Sequence, residues 1–597
     1  MQLAHHYLRV RNHFHGMADG VRIETSLQEL AEVFCCTGRN VKIIVKQLAD
    51  AKWIEWLPGR GRGHYSHLVF LAQTEEVAFQ LAQQHVKRGY WNDALAVLNE
   101  FSTLPIQRER FLAWLSQQFG FRVEETEKRS LDTLRMPFYR PIPAIDPAFV
   151  TRRTEAHMVK QVFDTLIRYD AREKRFLPHV AHYWETNADR TEWTFYLRKG
   201  VLFHHGRELN AHDVKLTFER MRQPATGSPY RWMFAHVEEI SVPRQSVLKI
   251  RLQRPNSLFL HFLSSERASI IPHEVVQERG ERFAREPVGT GPFRLVRNDD
   301  TVFLLEAFPH YFQGRAHLDR IEIWIVPDIR VHGIINQLDA EHLHFHPFRK
   351  LTESTSLWKE LDKVETGYKY IAFNLNRPGP QQQSNFRKAL DLLLDRERMI
   401  AELGANRLFP ASGFFPGKAH LAVRARPEEA RRLLRESGYR GEVLTFYTYE
   451  GSSNETDAEW VQRQCREAGI ELELHVLPIE QVKHQAAEAD LLLSGEVFDE
   501  DLEFGLTETF QQETSFYRAH WSPQLREAVD RQIARVLQEE SCEQRMRLLE
   551  GIEELLKKEC AVLFLYHSRQ STAYHSALEG VSLNALGWVD YKEIWFK

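Results

Sequence analysis

The chain has 597 residues but only five cysteines, Cys35, Cys36, Cys465, Cys542 and Cys560. The number is odd and no Cys-x-x-Cys pair occurs, which argues against a disulfide framework and against the common zinc and dithiol motifs. Reduced structural thiols are the plain expectation. Long hydrophobic runs are also missing. No stretch approaches the roughly 18 to 20 apolar residues that span a bilayer. The first twenty residues carry His5, His6, Arg9, Arg11, His13 and His15 and no apolar run, so no export signal is expected and a cytoplasmic location follows. There is no His-Glu-x-x-His, no Gly-x-Ser-x-Gly and no phosphate-cradling Gly-x-x-x-x-Gly-Lys-Ser/Thr. No catalytic set stands out, and no enzyme activity, cofactor or metal is expected. Excess charge is lacking as well. The net charge of −4 makes the whole chain a poor polyanion binder, so any nucleic-acid contact must come from a local patch. Simple repeats and low-complexity tracts are absent.

What is present is ordinary globular composition, 43% apolar and 27% charged, in a length that implies two to four domains. Near the start, Ser26 and Glu29 form a Ser-x-x-Glu box that opens a helix carrying Leu27, Leu30, Ala31 and Phe34 at helical spacing. Cys36-Thr37-Gly38-Arg39 breaks it. A second helix follows with Val41, Ile44, Val45 and Leu48 on its apolar stripe. Trp53 to Leu57 and Ser66 to Leu71 then read as two strands of a hairpin. The loop between them contains Gly59-Arg60-Gly61-Arg62-Gly63-His64.

Two short helices joined by a tight turn can seat the second helix in the DNA major groove. Arg39 and Asn40 lie at the start of that helix, off the apolar stripe. Arginine can pair bidentately with guanine, and asparagine with adenine. Lys42 and Lys46 are better placed for phosphates. Arg60 and Arg62, set between glycines that permit close approach, suit a phosphate backbone or a minor groove. Between Arg39 and Arg62 six Lys/Arg (Arg39, Lys42, Lys46, Lys52, Arg60, Arg62) face two acids (Asp50, Glu55), a local balance of +4. Taken singly, a basic helix face is more often a solvated surface, and Arg-Gly-Arg-Gly could be a solvated turn. Helix, helix and basic wing in order are far more specific, and they predict an α+β winged helix-turn-helix over residues 1–116. Residues 117–130 are charged and lack a clear apolar period, and they read as a linker or helix end. Gln381 to Gln383, after Arg377-Pro378-Gly379-Pro380, read as a surface loop.

From residue 131 to 597 the chain alternates strands and helices, and here a family is legible. Trp193-Thr194-Phe195-Tyr196-Leu197-Arg198-Lys199-Gly200 through Asn210-Ala211-His212-Asp213-Val214 resembles the signature of the peptide/nickel-type solute-binding proteins of ABC transporters. In the same order, Gly289-Thr290-Gly291-Pro292-Phe293, Tyr370-Ile371-Ala372-Phe373-Asn374, Phe386-Arg387-Lys388-Ala389-Leu390 and Pro427 to Tyr439 match further segments of that family. The whole chain resembles the SgrR-type transcriptional regulators, which join a winged helix to such a domain. That resemblance implies a two-lobed α/β periplasmic-binding-protein-like fold, with its core over about residues 160–500 and a solute held in an interlobe cleft. Tyr139, Arg140, Trp358, Tyr368 and Asn374 are the candidate cleft residues, each with a plain packing role as the alternative. Gly289 and Gly291 are expected to supply unusual backbone dihedrals. His342, His344 and His346 would put three imidazoles on one strand face, which suits nickel, zinc or copper. An outward-facing polar strand explains them as well.

The leading expectation is therefore a ligand-responsive transcription regulator with two partners, double-stranded DNA and a small solute such as a sugar, a peptide or a related metabolite. A homodimer on the DNA is compatible with the sequence but not required by it. The alternative is the substrate-binding component of an oligopeptide/nickel-type ABC transporter, against which the missing export signal argues.

Overall fold

The computed structural model describes residues 1–597 apart from 60–64, 102–104, 126–128, 327–344, 347–357, 418–422, 452 and 585–586. The chain forms two compact units. The first comprises residues 1–141 with 297–304 and the stretch that begins at 321; the second takes in 142–296, 305–320 and the remainder to 597.

The first unit opens with helices α1 (Gln2–His13), α2 (Leu27–Phe34) and α3 (Gly38–Asp50), and strands β1 (Ile23–Thr25), β2 (Ile54–Leu57) and β3 (Ser66–Phe70). The Ser26 hydroxyl accepts the Glu29 amide at 3.1 Å and starts α2 as the capping pattern requires. Cys35 ends α2 in the left-handed conformation, and Thr37 precedes α3 at its N-cap position without a side-chain capping bond. The strands form an antiparallel sheet in the order β1-β3-β2. Leu30 and Phe34 of α2 and Val41, Ile44, Val45 and Leu48 of α3 share one core with Tyr7, Leu8, Leu68 and Phe70. This is a winged helix-turn-helix.

Helices α4 (Thr74–Lys87), α5 (Trp91–Phe101) and α6 (Pro105–Ser116) follow. Residues 120–125, expected to be linker or helix end, are instead strand β4 (Gly120–Glu125), paired antiparallel with β5 (Ser130–Phe138). The reason is a buried cation. Arg135 of β5 bonds Glu124 at 3.2 Å and Glu322 at 2.6 Å, and its guanidinium lies 4.4 Å from the Trp324 ring centre. The charges that hid the strand from a hydrophobic-period reading are part of what ties it into the sheet.

The second unit holds several sheets, among them one of four strands and one of five. One is antiparallel, with strands Val237–Arg244, Val247–Leu252, Glu192–Leu197 and Ala181–Thr186 in that order. Helix α8 (Ala211–Arg222) packs beside it. Asn210 and Asp213 form a full capping box at the start of α8, and Arg207 clamps the Asp213 carboxylate. The other sheet is mixed, in the order Leu472–Leu477, Leu444–Tyr449, Leu491–Val497, Gly367–Phe373, Val562–Phe564. Its core gathers Ile371, Phe373, Phe386, Leu390, Phe446, Trp460 and Leu493.

Neither Gly289 nor Gly291 has the positive φ anticipated for them. Their requirement is space. They lie against the end of helix α7 (Arg153–Val162), where a Cβ on Gly289 would stand 2.0 Å from the Val162 carbonyl oxygen and one on Gly291 2.6 Å from the Val162 carbonyl carbon. Gly291 donates its amide to that same Val162 oxygen at 2.9 Å. His204 closes the turn from the other side: Nδ1 accepts from the Gly289 amide at 3.3 Å and Nε2 donates to the Gly291 carbonyl at 3.0 Å. Burial lowers its pKa to about 4, so the ring is neutral and one tautomer satisfies both bonds. Asp164, two residues past α7, bonds His179 at 2.7 Å, Thr290 at 2.7 Å and Tyr311 at 3.0 Å. Burial opposes its charge, but the His179 imidazole and the three bonds outweigh that and hold the carboxyl below its usual range. Gln381, expected in a surface loop, is fully buried and donates to Asp490 at 3.2 Å and to the Arg377 carbonyl at 2.9 Å.

Two glycine substitutions separate crowding from flexibility. Gly289→Ala should destabilise the chain by about 3 kcal/mol, the cost of overpacking against backbone that cannot yield. Gly38→Ala, with open space around its Cβ position and no positive φ, should be neutral or stabilise by about 0.5 kcal/mol. Urea midpoints measured on the full chain check both. Equal midpoints for the two variants would contradict the close-approach account.

Candidate functional site

Helix α3 presents two faces. Val41, Ile44, Val45 and Leu48 are buried, whereas Arg39, Asn40, Lys42, Ile43, Lys46 and Gln47 are exposed. Because the four residues of the buried stripe belong to the shared core, the outward set is held in a fixed orientation. Among the described residues, the Arg39, Asn40, Lys42 and Lys46 side chains make no hydrogen bond or ion pair. They are cations and an amide left open to solvent on one short helix. At the wing, the Gly59 amide donates to the Ser66 hydroxyl at 3.1 Å and closes the neck of the β2–β3 loop. Arg60 and Arg62 lie outside the described residues.

The five candidate cleft residues divide between the units. Tyr139 and Arg140 are half-buried in the first, where the Arg140 guanidinium lies 5.5 Å from the Phe138 ring and 5.9 Å from the Tyr139 ring. Trp358, Tyr368 and Asn374 are buried in the second. Trp358 sits on strand Trp358–Val364, paired with Tyr566–His575. Asn374 commits its amide to the backbone: Nδ2 donates to the carbonyls of Ala487 at 3.1 Å and Ala489 at 2.9 Å, and Oδ1 accepts from Asn376. That arrangement positions the end of a strand. Tyr368 joins an aromatic group with Phe414, Phe498 and Phe564, and its hydroxyl meets that of Tyr517 at 2.9 Å. His342 and His344 lie outside the described residues, and His346 belongs to a two-residue strand paired with Ala573.

The sequence did not point to α7, yet α7 ties the two halves of the second unit together. Arg152 bonds Glu480 at 2.9 Å, Arg153 bonds Glu365 at 3.0 Å, and Lys160 pairs with Asp499. Lys483 reaches back to the Thr151 hydroxyl at 3.0 Å. Burial would lower the Lys160 pKa, but Asp499 and Glu266 outweigh it and hold the ammonium above the ordinary lysine range. Between those ion pairs, α7 buries polar atoms that have no partner among the described residues: both ring nitrogens of His157 and Oε1 of Gln161. The His157 ring stacks on Trp588 with centroids 5.0 Å apart and meets Tyr591 edge-on. On the mixed sheet, Glu496 is half-buried and accepts from the Tyr370 hydroxyl at 3.2 Å; burial pushes its pKa up to about 7. These partners are hundreds of residues apart, 339 in the case of Lys160 and Asp499. No local pattern could have linked them.

Comparison with known proteins gives two family matches. Residues 175–517 match the family described as bacterial extracellular solute-binding proteins, family 5, middle, and residues 2–120 match the sugar transport-related sRNA regulator N-terminal family. The chain is 32% identical to the uncharacterized protein YhjP of Bacillus subtilis over 601 residues, covering all of both chains. It is 26% identical to the HTH-type transcriptional regulator SgrR of Yersinia enterocolitica over 602 residues, covering 100% of this chain and 98% of that protein. Among solved structures, the oligopeptide-binding protein AppA of Bacillus subtilis, in complex with a nonapeptide, superposes with a TM-score of 0.69 at 18% identity. That alignment covers 78% of this chain and 99% of AppA, and it shows the fold.

Glu496 generates a pH signature. Its pKa of about 7 exceeds the ordinary carboxylate value of 4.5, so the native state holds the proton more tightly than the unfolded chain does. Stability from this group is then greatest below about pH 4.5 and declines as pH rises to about 7. Glu496→Gln should gain stability over the wild type progressively between pH 5 and pH 8. Urea midpoints for both proteins across that range test it. A difference that stays constant with pH would show that Glu496 ionises normally.

Proposed function

Because this chain belongs to the family 5 solute-binding proteins and carries the N-terminal domain of the SgrR-type regulators, we propose that it is a ligand-responsive transcription regulator. The winged helix binds double-stranded DNA, and the two-lobed unit binds a small solute. The observation that carries the reading is the open cationic face of α3, where Arg39, Asn40, Lys42 and Lys46 point outward without partners. A binding protein that only delivers solute to a permease has no use for such a face, which disfavours the transport reading. Arg39 and Asn40 contact base edges, while Lys42, Lys46, Arg60 and Arg62 contact phosphates. The activity proposed is binding, not catalysis. The working location is the cytoplasm, where the DNA is.

The solute lies between the halves of the second unit that α7 joins, and Tyr368 and Glu496 border the same region. Solute binding favours one arrangement of those halves, and the coupling to DNA affinity is about 1 to 3 kcal/mol, roughly 5- to 150-fold. One copy offers one recognition helix, so a two-fold operator would take two copies. Sedimentation on selected DNA reads that stoichiometry.

The test begins with duplexes selected from a random pool by the wild-type chain. Lys42→Ala/Lys46→Ala should weaken all sequences about equally and reduce the slope of log affinity against log salt by roughly 2, about 0.9 per phosphate lost. Arg39→Ala should instead flatten the preference at one base pair, costing about 1 to 3 kcal/mol there. A library of peptides and sugars screened against the operator curve tests the switch. Failure of every variant to alter DNA binding, or recovery of the chain from the extracytoplasmic fraction, would favour the transport reading.

A further inference from the structure

Ile43 stands at the centre of the outward face of α3. It lies four residues from Arg39 and from Gln47, with Lys42 and Lys46 beside it, so that all five share one side of the helix. Its side chain is 50% exposed, while the four apolar residues of the buried stripe are at most 8% exposed. It is the only large apolar side chain left exposed on α1, α2 or α3. An isoleucine there contributes nothing to the core, and it lowers the solubility of a face that is otherwise charged and polar. Its surroundings indicate what covers it. Arg39, Lys42 and Lys46 along one flank suit a polyanion, and a protein partner's apolar patch would have to accommodate those unpaired charges. In the major groove only one base edge offers an apolar group, the 5-methyl of thymine.

We propose that Ile43 reads a thymine 5-methyl group, which makes it a sequence-determining contact at the middle of the recognition helix. This rests on the DNA-binding reading above. Arg39 precedes Ile43 by one helical turn, so its base contact falls on one side of the thymine, and Gln47, one turn beyond, falls on the other. Gln47 can pair bidentately with an adenine. The selected site should therefore hold a T·A pair at the position whose preference Ile43 controls, flanked by the base pair that Arg39 controls.

The experiment uses the full chain and the duplex it selects from a random pool. Each thymine is replaced in turn by deoxyuridine, which removes the methyl and leaves the base pair intact. At one position the wild type should lose affinity about 3- to 10-fold. Ile43→Ala should bind the thymine and deoxyuridine forms equally, at about the wild-type affinity for deoxyuridine. Ile43→Val, which keeps part of the apolar contact, should retain part of the preference. Circular dichroism and the urea midpoint of both variants should match the wild type, since the side chain is outside the core. Indifference of the wild type to every deoxyuridine overturns the inference but leaves DNA binding in place. So does a methyl preference that survives in Ile43→Ala. A shift in self-association without DNA in Ile43→Ala, with no methyl effect, would assign the residue to an interface between copies instead. Absence of any selected duplex overturns the DNA-binding reading itself.

Discussion

The second unit depends on how closely two segments of backbone pass. The turn at Gly289–Gly291 lies against the last carbonyls of α7 with no room for a methyl group. Once that contact is made, Thr290 faces Asp164 and His204 faces both glycines, so one approach fixes a buried carboxylate and a neutral imidazole together. The helix held there is the one whose other side chains reach Glu365, Glu480 and Asp499. Any motion that separates those ion pairs would pivot on a segment whose own end cannot slide. The close approach thus fixes one end of α7 within the unit.

The first unit divides its labour along one helix. The residues of α3 that hold it in place are all apolar, and those that face outward are mostly cationic or amide. Nothing in the core has to be satisfied by the groups that would touch DNA. If that outward set reads DNA as proposed, recognition can be altered at Arg39, Asn40, Ile43 or Gln47 without loss of fold, and the fold can be stabilised at its core without altering recognition. The same separation explains why the outward set could be read from sequence: its members fall off a stripe whose period is unambiguous.

Legibility was uneven for physical reasons. The winged helix was legible because its helices are amphipathic and its breaks and caps are local. The solute-binding fold was legible only through resemblance, because segments such as Trp193 to Val214 and Gly289 to Phe293 match those of a known family in the same order. The β4 strand was not, since its pairing relies on Arg135 and charged partners, which carry no hydrophobic period. The role of Gly289 and Gly291 was misjudged in kind: a glycine needed for its conformation and one needed for its missing side chain look alike in sequence. Gln381 was taken for surface because it follows Arg377-Pro378-Gly379-Pro380, and it is buried because Asp490 and a backbone carbonyl meet it. The α7 contacts were invisible, because each links segments far apart in the chain. Among the cleft candidates, Asn374 reads as scaffold once its amide partners are seen.

Arg135 also has a consequence for how the protein is made. Its half-buried partner Glu322 and the Trp324 ring beneath it come 187 and 189 residues later in the chain. At the pace of a ribosome, about 5 to 20 residues per second, those partners emerge roughly 10 to 40 s after the arginine does. The winged helix, whose core also takes in Val77, Ala78, Leu81 and Val97 of α4 and α5, is complete before Arg135 is made and can fold as it leaves the tunnel. The sheet behind it must wait with a cation and an open strand edge exposed while the first half of the solute-binding unit is synthesised. During that interval a nascent chain already carries the outward cationic face of α3, while β5 still lacks its later partners.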